Sequence, residues 1–102
     1  MITSDGVPPS DPVNAFNLFG SGVPSVTPAA ASLSSDNVSV TFNITVPAGS
    51  TRGLLFSSQL ATDAATSRIR VAVFDSNSGA EAAGFLRGLT DTQRTGILNW
   101  GL

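Results

Sequence analysis

One stretch rich in oxygen ligands is "DSNSGAE", Asp75 to Glu81, which sets side-chain oxygens at alternate positions. Such spacing superficially resembles a calcium loop, but an EF-hand requires Gly at the sixth position and Glu at the twelfth. Those positions hold Ala80 and Leu86, so the stretch reads as a turn: Asp75 and Asn77 bond their own backbone and Gly79 relieves the bend. Serine-rich turns ("SGVPS", "SLSSD", "SSQL") offer hydroxyl nucleophiles with nothing to activate them. The chain has no His, Lys, Cys or Tyr, which removes the commonest general base, Schiff-base chemistry and thiolate metal sites. No catalytic residue, metal site or cofactor is expected, and the protein is read as a non-enzyme.

The cations are Arg52, Arg68, Arg70, Arg87 and Arg94, all beyond residue 51. Arginine without lysine is the composition of contact surfaces, where Arg pairs bidentately and Lys is depleted. Only 12% of residues are charged, against about 25% in an ordinary soluble domain. Between Asp11 and Arg52 the single charge is Asp36. Interface cores are depleted of charge in this way, which favours protein partners. A net charge of −2 gives no cationic footprint for nucleic acid. The longest apolar run, Val71 to Phe74, is too short to span a membrane, and the N-terminal residues lack a secretory pattern. Export is therefore not expected, and the sequons at Asn37 and Asn43 read as accidental.

Two regions must position these groups. Residues 1–35 hold Pro8, Pro9, Pro12, Pro24 and Pro28, a density that opposes regular helix and central strand. They read as an extended arm, which nevertheless carries the apolar cluster Phe16, Leu18, Phe19 and Val23. These four are the candidate anchor of the arm, in a groove on a neighbour or on the domain itself. Residues 36–102 read as a compact β domain. "VSVTFNITV", Val38 to Val46, alternates without a break, which predicts a strand with Val38, Val40, Phe42, Ile44 and Val46 inward. Its other face, Ser39, Thr41, Asn43 and Thr45, is polar yet uncharged, and reads as a surface covered by the arm or by another subunit, since short polar groups are cheaper to desolvate than charges.

"TRGLLFSSQL" and "SRIRVAVF" predict further strands, the latter with Arg68 and Arg70 opposite Ile69 and Val71. "AEAAGFLRGL" leans to strand because of Gly84 and Gly88. Thr90 and Gln93 have the spacing of a capping box, predicting a helix of at most two turns, since Gly96 costs it roughly 1 kcal/mol. Trp100 and Leu102 are expected to be buried, as a C-terminal contact. The predicted fold is all-β, a small antiparallel sandwich or jelly-roll-like domain with an extended N-terminal arm. So small a β domain without disulfide or metal points to homo-oligomerisation as its staple.

In general profile, carried by the arm "GVPPSDPVNAFNLFGSGVPS" and the strands "VSVTFNITV" and "SRIRVAVF", the chain resembles the small decoration (cement) proteins of tailed phages. The resemblance implies a structural role in a viral capsid, docking across capsomer joints as dimers or trimers with the arm pinned to the shell. It places the protein in the virion, made in the host cytoplasm. A second resemblance, in "SRIRVAVFDSNSGAEAAG", is to cohesin-like or carbohydrate-binding sandwiches. The scarcity of aromatics for sugar stacking, with no Tyr and Trp100 alone, stands against it.

Overall fold

The computed structural model describes residues 2–3, 12–34 and 37–102. Strands β1 (Ile2–Thr3), β2 (Val13–Asn17) and β5 (Ser57–Ala61) form one antiparallel sheet with β2 in the middle. Strands β3 (Ala30–Ser34) and β4 (Asn37–Thr41) form a second, two-stranded antiparallel sheet. Helix α1 (Ala64–Val71) runs into a 3-10 turn (Ala72–Asp75), followed by α2 (Asn77–Ala82) and α3 (Asp91–Gly96). The fold is thus a mixed α/β domain, and the expectation of an all-β sandwich or jelly roll is incorrect. Residues 12–34, expected to be extended, supply β2 and β3. Pro12 and Pro24 flank β2 without entering it, which lets it sit centrally.

The helices arise where strands were expected because caps outweigh an ambiguous pattern. The Asp63 carboxylate accepts from the Thr66 amide (2.7 Å) and from the Thr66 and Thr62 hydroxyls (2.9 and 3.1 Å). These bonds, the Thr66 amide foremost, hold its carboxyl below the usual aspartate value and start α1. The inward stripe of this helix and the 3-10 turn after it is Ala64, Ser67, Val71 and Phe74, at helical spacing. Its most buried member is a serine, whereas Ile69 is 73% exposed. Hydropathy is therefore inverted along "SRIRVAVF", and the alternation there has no strand behind it. Arg68 and Arg70 are exposed helix residues, with Arg70 Nη1 donating to the Leu60 carbonyl.

"DSNSG" is a helix start, not a free turn: the Ser76 hydroxyl accepts from the Gly79 amide at 3.0 Å. Gly84 is not a bulge but the left-handed glycine just past the C-cap Ala83 of α2, at φ 77°. The Gly84 amide bonds the Glu81 carbonyl and the Phe85 amide bonds the Ala80 carbonyl, the two bonds of a Schellman motif. The Thr90–Gln93 capping box forms as expected, and α3 is six residues long. "VSVTFNITV" is a strand only as far as Thr41. Its pairing ends where the Ala29 amide bonds the Thr41 carbonyl at 2.8 Å.

The core has two parts. Val13, Ala15 and Ala61 lie on one face of the first sheet beside buried Ser67 of α1. The larger part joins Ala80, Leu86 and Trp100 with Leu55, Phe74, Phe85, Leu89 and Ile97. Phe74, Phe85 and Trp100 stack in mutual contact, with centroids 4.9, 5.2 and 6.2 Å apart and edge-to-face or tilted rings, the arrangement aromatic quadrupoles favour.

Candidate interaction surfaces

The groups singled out for chemistry are engaged in the fold. Glu81 makes a two-bonded pair with Arg94 (3.0 and 3.2 Å). Those hydrogen bonds hold the Glu81 carboxyl below its usual range and push Arg94 up. Asn77 accepts from the Ser21 hydroxyl at 2.7 Å and donates to the Gly101 carbonyl. "DSNSGAE" therefore serves as a capped, internally bonded helix. Among the described residues no three carboxylates converge as a metal site would require.

Phe16, Leu18, Phe19 and Val23 differ in exposure. Phe16 is half-buried on β2 and Leu18 is half-buried with its carbonyl bonded by Asn99 Nδ2. Phe19 is 51% and Val23 91% exposed. The backbone around them is tied to the C-terminal segment: the Gly20 amide bonds the Asn99 carbonyl, Val26 bonds Leu98 and Gly101 bonds Ser21. On its other side that segment is bonded to Gly53, whose amide reaches Gly96 and whose carbonyl accepts from Leu98. Residues 97–101 are thus a strap threaded between two parts of the chain. Trp100 is sealed in this molecule's own core, its indole N–H on the Leu55 carbonyl (2.9 Å). Leu102 is 39% exposed in the single chain. Asn99, which nothing in the sequence distinguished, is wholly buried and makes three bonds, to the Leu18 carbonyl and to the Leu55 amide and carbonyl, each 2.8 Å.

Ser39 and Thr41 lie on one exposed face of the β3–β4 hairpin, whereas Asn43 and Thr45 are exposed beyond its end. The register pairs Ala31 with Val40 and Leu33 with Val38, so these four share the opposite face. Val38 and Val40 were expected to point into a core. Instead no residue of either strand is buried, and Leu33 is 45% exposed. The apolar row was legible as alternation; the missing core behind it was not. Exposed apolar residues continue beyond the hairpin with Ile44, Val46 and Phe56, the last packed on Phe42 at 5.7 Å.

One open groove, about 790 Å³, lies between residues 49–55 and α3. Arg52 and Asp91 are the charged groups in its wall, beside Leu54, Thr95 and Ile97. Compared with protein-family models, curated proteins and solved structures, the chain has no significant match in any of the three.

Proposed function

We propose that this protein is a structural, non-catalytic subunit of a large assembly, most concretely a capsid decoration protein carried in the virion. The observation that carries the reading is the β3–β4 hairpin, whose two strands hold no charged and no fully buried residue and carry an apolar row, together with exposed Phe19, Val23, Ile44 and Val46. Exposed apolar surface of this kind marks contact sites. No charge interrupts the sequence from residue 12 to 51 except Asp36. The cohesin-like or carbohydrate-binding alternative loses its basis, because the phrase that suggested it folds as α1, the 3-10 turn and α2.

Deleting residues 1–30 is an unsuitable test, since it removes the central strand β2 and the Gly20 bond to the strap. Substitution of exposed residues is cleaner. In lysate of the producing cells, the protein is expected to sediment with a fast particle, and the pair Phe19→Ser and Val23→Ser to move it to the slow fractions. Wild-type protein found wholly in the slow fractions would overturn the reading.

A further inference from the structure

The outer edge of β4 is a strand edge without the usual guards. Among the described residues β4 has β3 as its one strand neighbour, and Asn37–Thr41 contains no Lys, Pro or other charge. Natural proteins protect such edges with those devices. An isolated two-stranded hairpin is also marginal in water, and three or more strands are needed for independent stability. Of the two edges, β4 is the better template: Val38, Val40 and Thr41 are β-branched, whereas β3 is Ala-Ala-Ser-Leu-Ser.

We propose that β4 pairs antiparallel with β4 of a second copy about a two-fold axis at Ser39, giving a continuous four-stranded sheet. The strand is self-complementary in that register. Val38 falls opposite the partner subunit's Val40, and Asn37 opposite the partner subunit's Thr41, so apolar meets apolar and polar meets polar. The apolar row then runs from Leu33 and Val38 across the axis to the partner's Val40 and the partner's Ala31. Charge is compatible as well. The sole charge near the strand in sequence is Asp36, beside Asn37. The two Asn37 ends lie four residues apart along the paired strands, about 14 Å at ~3.4 Å per residue. That exceeds the Debye length of about 8 Å at physiological salt. A second copy rather than an unrelated chain is the occupant, because this pairing satisfies both faces of the same five residues at once.

The pairing refines the reading of the protein as an assembly subunit and rests on it for the choice of a protein partner. The experiment needs no shell, so its outcome is separable from that reading. Sedimentation velocity of the purified full chain over a roughly hundredfold concentration range is expected to show a reversible monomer–dimer equilibrium. Ser39→Lys and Ser39→Asp each bring like charges together at the axis and should weaken the dimer by about fivefold or more. Mixing the two variants should restore it as a heterodimer. A wild-type chain that stays monomeric throughout, variants that dimerise as well as wild type, or a mixture that fails to recover the dimer would each overturn the proposal.

Discussion

Two segments of this small domain carry opposite instructions. The strap at residues 97–101 is bonded on both sides, through Gly20, Ser21 and Val26 on one and Gly53 on the other, and buries Asn99 and Trp100. The β3–β4 hairpin has regular backbone pairing and strong alternation, but no residue of its strands is fully buried and only Val38 and Val40 are half-buried. By sequence the ranking looks reversed, since "VSVTFNITV" is the clearest pattern in the chain and "NWGL" is no pattern at all. The difference teaches that periodicity reports which side chains share a face, whereas burial depends on what stands opposite that face. The strap holds the fold together and the hairpin is the surface left for others.

The largest break in this comparison is Trp100→Ala, expected to cost about 3–5 kcal/mol by emptying the Phe74–Phe85 stack. Next is Asn99→Ala, about 2–4 kcal/mol, because it leaves the part-buried Leu55 amide and Leu18 carbonyl without their partner. Urea denaturation read by Trp100 fluorescence measures the second, and circular dichroism the first. At the other end, Val38→Ser with Val40→Ser should change monomer stability, measured at low concentration, by no more than about 0.5 kcal/mol per site. A loss approaching that of the strap variants would erase the distinction.

Smaller effects sharpen it. Thr90→Ala removes the capping-box acceptor of α3 and should cost about 1 kcal/mol. That helix leads directly into the strap, so slower exchange of the Ile97 and Leu98 amides should be lost with it. The pH dependence follows from carboxylates whose values are lowered in the fold. Glu81, held down by Arg94, and Asp63, held down by Thr66, are ionised when folded at pH values where the unfolded chain has begun to bind protons. Their contribution is present above the unfolded carboxylate range, about pH 4–4.5, and is lost as pH falls through the lower folded values. Glu81→Gln should therefore lower the urea midpoint slightly at neutral pH, leave it almost unchanged near pH 3, and so flatten the acid limb of the stability curve, as read from urea midpoints between pH 3 and pH 7.

How much of this was legible follows from particular residues. The Thr90–Gln93 box was readable because both partners are local and three residues apart. Burial of Trp100 was readable from its cost in water. The helices α1 and α2 were not, for two reasons. Ser67 occupies the buried position while Ile69 is exposed, and Gly84, which looked like a strand bulge, terminates a helix. The role of Asn99 was invisible because its partners, Leu18 and Leu55, lie 81 and 44 residues away and offer only backbone atoms. Likewise Gly20 is explained only in three dimensions: a Cβ there would stand 1.7 Å from the Trp100 ring. As for the candidate surface, its charge desert and alternation were plain in the sequence, and what remained hidden was which of its apolar residues lacked a core.

Amide hydrogen exchange of the full chain at low and high concentration tests the central contrast most directly. The expected result is slow exchange at Leu98 and Gly101 at every concentration, with β4 amides fast when dilute and slowed when concentrated. Hairpin amides as protected as the strap in dilute solution, or strap amides exchanging as freely as the hairpin, would contradict it.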